Sequence, residues 1–235
     1  MRALARADDA TATSRGRRWP LPLAALAAIC YSSWLLAPVF SPLHDPVRSY
    51  VSELAASKEP KALFYQLMDL TAGAAIYTAC ILVIWCDRPG WKRAMPFVLL
   101  GCFGLVTIID ALLPLSCTPT SDQICALEES LGLVPLAHQL HLYSSTTVGL
   151  LGAATVMWTS VYAWRDQTPA ELREGGLVLA VVHLLMLGWT TLAALDVIGV
   201  GLGVAQRISL MTLTIWWVLL FTLWHRSPGR GLPEA

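Results

Sequence analysis

The fold class of this protein is decided by residues 62–93, ALFYQLMDLTAGAAIYTACILVIWCDRPGWKR. The apolar run Ala62–Trp85 contains one charged side chain, Asp69. It is long enough to cross the ~30 Å hydrocarbon core of a bilayer as a helix, which needs about 20 residues. The segment Asp87–Arg93 then holds three basic side chains and turns the chain before a second apolar run begins. Two apolar helices joined by a short basic turn are typical of a polytopic membrane protein.

The composition of the whole chain indicates the same class. Of 235 residues, 56% are apolar and 14% are charged, whereas an ordinary soluble domain has roughly 25% charged residues. A soluble protein of this composition would expose large apolar patches. The net charge is zero, so the chain lacks the basic excess of a nucleic-acid binder. Soluble enzymes, disordered tails and nucleic-acid-binding proteins are therefore excluded.

The apolar pattern predicts an all-α fold with six transmembrane helices. The predicted spans are Leu21–Phe40, Ala62–Trp85, Ala94–Leu113, Ala137–Ala163, Gly175–Val197 and Gln206–Trp224. On this basis we expect a disordered cytoplasmic arm at 1–18, a transmembrane domain at 19–225 and a cytoplasmic tail at 226–235.

The basic residues predict the orientation. Twelve of the sixteen lysines and arginines fall in the two terminal segments, in the second-to-third connection and in the fourth-to-fifth connection. The other side has Arg48, Lys58, Lys61 and Arg207. Because cytoplasmic loops carry the excess of basic residues, both termini are predicted to be cytoplasmic. We expect a multi-pass protein of the plasma membrane.

Two of the six cysteines lie in one predicted outer loop. Cys117 and Cys125 enclose a short segment on the side that faces an oxidising compartment, where disulfides persist. We predict a disulfide between them. A two-cysteine metal site is the weaker interpretation, because such sites usually have closer spacing.

Ionisable residues inside spans are costly and indicate a function by default. Here they gather toward the outer ends of the predicted helices, and His183 is the exception. The first outer loop adds to the same side, because Pro46 suits the first turn of a helix that Asp45 can cap. We predict a short helix in this loop with Ser49, Ser52 and Glu53 on its polar side. The predicted ligand-binding residues are Glu53, Asp69, Asp110, His138, His141, Asp196 and Arg207.

His138 and His141 are the most specific chemical feature. Residues three apart share a helix face, so both imidazoles can point toward one place. With Asp110 and either His44 or Glu53 they could form a zinc site, although no His-Glu-x-x-His motif is present. No cofactor is predicted, and zinc remains an alternative. A serine nucleophile beside a histidine is a further alternative, and the candidates are Ser52, Ser144 and Ser145. In a purely structural interpretation, the histidines form hydrogen bonds to neighbouring residues, and Asp196 pairs with Arg207.

Several local motifs resemble the domain of unknown function 998 family of bacterial membrane proteins. They are Ser52-Glu53-Leu54-Ala55-Ala56 with Pro60 and Phe64, the loop with Cys117 and Cys125, His138-x-x-His141, and Gly203-Val204-Ala205-Gln206-Arg207. That family is distantly similar to the Frag/DRAM/Sfk six-span proteins, which have an acidic residue in the first outer loop, where Glu53 stands here. The resemblance implies six helices and an outer polar site. The Frag-type relatives are associated with handling of lipids and lipid anchors.

The leading expectation is a membrane protein with an outer polar pocket for a lipid or another amphipathic molecule. Arg207 would neutralise a phosphate or carboxylate head group. One alternative is a membrane-embedded hydrolase or acyltransferase, zinc-dependent or metal-free, with His138, His141, Asp110 and Ser52 as catalytic candidates. Another is a structural protein without a ligand. Membrane lipid is the expected partner, nucleic acid is not, and the sequence names no protein partner.

Overall fold

A computed structural model describes residues 19–165, 170–195 and 197–226. The expected arm at 1–18, the tail beyond Arg226 and the candidate Asp196 lie outside the described residues.

The described chain is helical and contains no strand. We number its α-helices α1 to α8. They are α1 Pro20–Tyr31, α2 Ala37–Phe40, α3 Ala62–Asp87, α4 Trp91–Leu112, α5 Gln123–Ser130, α6 Leu136–Arg165, α7 Gly176–Ala194 and α8 Leu202–Arg226. Two 3-10 segments, Ser33–Leu36 and Val51–Ala55, and a π-helical turn, Glu171–Gly175, complete the elements. The all-α prediction is thus confirmed for these residues.

Among the described residues, five helical segments are long and apolar enough to cross a membrane. They are Pro20–Phe40, Ala62–Asp87, Trp91–Leu112, Glu171–Ala194 and Leu202–Arg226. Helix α6 has the length but not the hydropathy, because serines and threonines recur along it. The structure therefore supports a multi-pass membrane protein with five candidate spans.

The six long helical segments form a ring in chain order. Helix α1 packs against α3, α3 against α4, α4 against α6, α6 against α7, α7 against α8, and α8 returns to α1. Three aromatic side chains from α1, α4 and α8 meet inside the ring. The ring centroid of Tyr31 lies 5.7 Å from that of Phe103 and 5.3 Å from that of Trp217. These contacts join three of the ring's helices through its core.

Helices α3 and α4 approach most closely at two glycines. A Cβ atom added to Gly73 would lie 2.7 Å from the carbonyl oxygen of Gly104, and one added to Gly104 would lie 2.8 Å from the carbonyl oxygen of Gly73. Close backbone approach at small residues is the usual way for helices to pack in membranes, where water exclusion does not drive association. The two glycines therefore let the backbones of α3 and α4 pack directly against each other.

The first span and the first long loop differ from the prediction. The span is interrupted after Tyr31 by the 3-10 segment Ser33–Leu36. In the loop, Asp45 accepts hydrogen bonds from the backbone N–H groups of Val47 and Arg48. The residue thus caps a turn rather than the expected helix.

The helical part of the loop is the 3-10 segment Val51–Ala55. Ser49 and Glu53, which were expected on a polar face, are buried. The reason is that the loop folds against α8 and against the connection 113–135, which contains Cys117 and Cys125 and which we call the disulfide loop. Its polar side therefore faces protein.

We predict that Gly73→Ala destabilises the bundle by about 1–3 kcal/mol, since the added methyl group overpacks the contact with α4. The measurement is thermal unfolding of the purified protein in detergent. Gly188→Ala is the matched control, because a Cβ there meets nothing within 4 Å. Equal melting temperatures for the two variants would contradict the assigned contact.

Candidate functional site

The polar residues gather at one end of the bundle, which we call the long-loop end. It contains the connections 41–61 and 113–135 and the N-terminus of α8. Arg207, in the second turn of α8, is only 9% exposed. Its Nη1 lies 2.9 Å from the carbonyl oxygen of Pro46, 3.1 Å from that of Ser49 and 3.0 Å from that of Gly203. Arg207 thus joins the first long loop to the last helix.

Gly203 and Gln206 complete this junction. The N–H of Gly203 donates to the carbonyl of Val47 at 2.9 Å, and the amide oxygen of Gln206 accepts from the N–H of Val51 at 2.7 Å. A Cβ on Gly203 would lie 2.6 Å from the carbonyl oxygens of both Pro46 and Ser49. Only glycine leaves room for the loop at this position.

His44 contacts the other terminal nitrogen of the Arg207 guanidinium. Its Nε2 accepts a hydrogen bond from Arg207 Nη2 at 2.9 Å. Burial, with the nearby Arg207 charge, lowers the pKa of His44 to about 4. The imidazole is therefore neutral at pH 7 and can accept this bond.

Glu53 joins the first long loop to the disulfide loop. Its side chain is 0% exposed. Oε1 accepts from the N–H of Thr120 at 2.9 Å, and Oε2 accepts from the Thr120 hydroxyl at 2.5 Å. Burial raises the pKa of Glu53, although the Thr120 bonds oppose that shift.

The disulfide loop is held by Cys117 and Cys125, whose sulfurs are 2.02 Å apart. The predicted disulfide is therefore present. Cys125 lies in α5, a helix that the sequence reasoning did not predict. Asp122 caps it, accepting hydrogen bonds from the N–H groups of Ile124 and Cys125.

His138, in the first turn of α6, is 0% exposed and faces the disulfide loop. Its Nδ1 lies 2.9 Å from Ser116 Oγ and accepts from the Ser116 N–H at 3.2 Å. Its Nε2 lies 2.8 Å from Glu129 Oε2. We call Ser116, His138 and Glu129 the His138 cluster.

His141 belongs to a different group, the Asp110 cluster, formed by Asp110, His141, Ser144 and Ser145. His141 Nδ1 lies 3.3 Å from Asp110 Oδ1, and His141 Nε2 lies 3.1 Å from Ser145 Oγ. Ser144 and Ser145 both donate to the Asp110 carboxylate. This cluster fastens α4 to α6 inside the bundle.

The structure thus divides the single pocket that the sequence suggested. Asp110 and His141 are in contact, whereas His138 pairs with Glu129, Glu53 with Thr120, and Arg207 with loop carbonyls and His44. Asp69 is half-buried on α3, within electrostatic range of Asp110. Ser52 is half-buried in the 3-10 segment.

The proposed zinc ligands do not converge. His44 contacts Arg207, and the two histidines of α6 turn to separate partners. Within 19–165, 170–195 and 197–226, no group of three or more His, Cys, Asp or Glu side chains is arranged to hold a metal ion. His183 packs inside the bundle, with Nδ1 3.0 Å from Ser209 Oγ.

A groove of about 600 Å³ opens at the long-loop end. The first long loop forms one side and the disulfide loop the other. Its lining combines apolar, hydroxyl and charged side chains: Phe40, Ser41, Pro42, Leu43, His44, Asp45, Arg48, Ser49, Glu59, Pro60, Thr118, Thr120 and Ser121.

Sequence reasoning missed Ser116, Thr120 and Glu129. Ser116 adjoins Cys117 and Glu129 lies one helical turn after Cys125, so their nearness to the disulfide was the available signal. Most of the groove was missed as well, because its lining comes from two loops far apart in the chain.

Comparison with known proteins identifies the family. Residues 24–223 match the family described as Protein of unknown function (DUF998). Because the match covers most of the chain, the protein belongs to this family. No curated protein and no solved structure shows significant similarity to it.

We predict that the buried Glu53 makes the protein less stable as the pH rises. A carboxyl group whose folded-state pKa is raised binds its proton more tightly in the folded protein. The stability therefore falls as the pH increases from 4.5, the ordinary pKa of the glutamate carboxyl, toward the raised pKa. Thermal unfolding of wild type and Glu53→Gln is compared between about pH 4 and pH 8. The melting temperature of the wild type should fall relative to that of the variant as the pH rises. A difference that does not change with pH would contradict the burial effect.

Proposed function

We propose that this DUF998 member is a six-span plasma-membrane protein that binds a lipid or another amphipathic ligand in its outer groove. The main support for this proposal is the groove at the long-loop end, which combines apolar and charged side chains in about 600 Å³. An amphipathic ligand needs both kinds of surface within one site.

The packing of α6 supports a sixth span. Helix α6 has 30 residues, so it is ~45 Å long at 1.5 Å per residue. Its low hydropathy comes partly from hydroxyl side chains, and many of these donate to the carbonyl four residues earlier in the helix. Such bonds satisfy a hydroxyl without water. The donors are Thr146, Thr147, Thr155, Thr159 and Ser160.

The ring arrangement supports the orientation. Six antiparallel spans place both termini on one side, and twelve of the sixteen basic residues lie on that side. By the positive-inside rule, that side is cytoplasmic. The long-loop end with its disulfide is then outside, where disulfides persist.

The chemistry of the groove suits a head group at the edge of the bilayer. Leu43 is 99% exposed and offers an apolar surface at the groove. Arg48 lines the same groove, and its guanidinium makes no hydrogen bond or ion pair with any described residue. It is therefore available for a phosphate or carboxylate. Arg207 is not available for such a group, because its hydrogen bonds hold the first long loop.

We predict that the two ends of α6 lie on opposite sides of the membrane. A cysteine at Glu128 should react with a membrane-impermeant maleimide on intact cells, and one at Glu171 should react only after permeabilisation. The pair Lys58→Cys and Lys92→Cys flanks α3 and should behave in the same way.

The unsubstituted protein, with its four free cysteines Cys30, Cys80, Cys86 and Cys102, supplies the background signal. Equal reaction of the Glu128 and Glu171 probes on intact cells would remove the sixth span. Reaction at Lys92 in place of Lys58 would reverse the orientation.

We predict that Arg48→Gln weakens retention of a phospholipid by at least about tenfold, because a lost charge-assisted hydrogen bond is worth ~1.5–3 kcal/mol and each 1.4 kcal/mol is a factor of about ten. The protein is delipidated in detergent and titrated with a defined phosphatidylglycerol or phosphatidylethanolamine, and bound lipid is counted by native mass spectrometry. Lys58→Gln is the matched control, since Lys58 is an exposed cation of the same loop that does not line the groove.

One saturable lipid that is weakened in Arg48→Gln and unchanged in Lys58→Gln supports the groove. Failure of the wild type to retain any lipid would favour the structural role without a ligand. Equal weakening in both variants would show that binding follows overall charge and not this groove.

A further inference from the structure

We propose that the His138 cluster is a second site, independent of the groove, at which Ser116 acts as a nucleophile toward carboxylic esters. The observation behind this proposal is an unbroken relay of three side chains. Ser116 Oγ lies 2.9 Å from His138 Nδ1, and His138 Nε2 lies 2.8 Å from Glu129 Oε2. Serine, histidine and carboxylate joined in this order form the arrangement of acyl-transfer enzymes, which is recognised by geometry and not by chain order.

The hydrogen bonds determine the tautomer of His138. The backbone N–H of Ser116 can only donate, and it points at Nδ1 from 3.2 Å. Nδ1 must therefore be the acceptor, so the ring proton is on Nε2 and is donated to Glu129. In this tautomer the Ser116 hydroxyl can donate to Nδ1, an acceptor that it shares with its own backbone N–H. This is the protonation state in which a histidine can remove the proton of a serine.

The disulfide holds the relay from both sides. Ser116 directly precedes Cys117, and Glu129 lies one turn after Cys125 in α5. The bond between Cys117 and Cys125 therefore sets the position of the nucleophile relative to the acid. His138 is held by α6 and is 0% exposed, whereas Ser116 is half-buried and the Glu129 side chain is 27% exposed. The base is shielded while the nucleophile can be reached from water.

The Asp110 cluster is the weaker candidate for the same chemistry. Ser145 Oγ lies 3.1 Å from His141 Nε2, but it also lies 3.0 and 3.1 Å from the two oxygens of Asp110. Its hydroxyl proton is thus shared with the carboxylate that should orient the histidine. In the His138 cluster, the serine and the acid occupy different ring nitrogens.

The reaction proceeds in two balanced halves. Ser116 Oγ bonds to the ester carbonyl carbon while its proton passes to His138 Nδ1, and that proton then leaves with the alcohol as the ester C–O bond breaks. Water next gives a proton to Nδ1 and its oxygen to the acyl carbon. The carboxylic acid departs, and the proton returns from Nδ1 to Ser116 Oγ. Glu129 stabilises the imidazolium and is a positioning residue.

The test uses the purified full-length protein in detergent and a fluorophosphonate probe, which reacts covalently with activated serines. We expect one adduct by intact-mass measurement, mapped to Ser116 by peptide mass spectrometry. His138→Gln should slow labelling about 100-fold, within the usual contribution of a general base. Ser130→Ala is the matched control, because Ser130 is an exposed serine of the same loop that bonds only to a backbone carbonyl.

Glu129→Gln distinguishes catalysis from a structural role. Without the carboxylate the imidazolium is less stable, so the midpoint of the pH–labelling profile should move to lower pH. Unfolding would instead reduce labelling at every pH. Glu128→Gln, the exposed neighbouring glutamate, should leave the midpoint unchanged. An unlabelled wild type, or an adduct that maps to another serine, would overturn the proposal whether or not the groove binds lipid.

Discussion

The polar end of this protein depends on one buried cation, Arg207. Among the described residues, no carboxylate lies within ion-pair distance of it. Arg207 is 9% exposed, and it is stabilised by three backbone carbonyls and the neutral His44. Moving a charge out of water is strongly unfavourable unless its hydrogen bonds are replaced. A helix end can offer only some of these acceptors, so the first long loop must supply the rest. The position of that loop is therefore a consequence of where Arg207 stands on α8.

The remaining contacts at this end extend the same constraint outward. Once the loop is fixed at Ser49, Glu53 faces the disulfide loop and captures Thr120 through two hydrogen bonds. The disulfide loop is itself closed by its cysteines and tied to α6 through His138. The groove lies between two loops that are each fastened to a helix, so the ligand that we propose would meet a preformed site. Such preorganisation reduces the entropy that binding would otherwise lose.

Sequence reasoning recovered what depends on local pattern. The apolar runs located the long helices within a few residues, and Cys117 with Cys125 indicated the disulfide. Its errors came from tertiary partners. The sequence placed Ser49 and Glu53 on the polar side of a predicted helix in the first long loop, yet both are buried against Thr120, far along the chain. The contacts of Arg207 with the backbone were also not predictable, because carbonyl groups leave no trace in side-chain identity.

His138 and His141 show why residue spacing alone does not define a site. Residues three apart share a helix face, but the first turn of α6 stands beside the disulfide loop and the next turn stands beside α4. His138 thus meets a serine and a glutamate at the edge of water, while His141 meets an aspartate and two serines inside the bundle. The same side chain, displaced by one turn, lies in one place between a half-buried serine and a partly exposed glutamate, and in the other it links two helices.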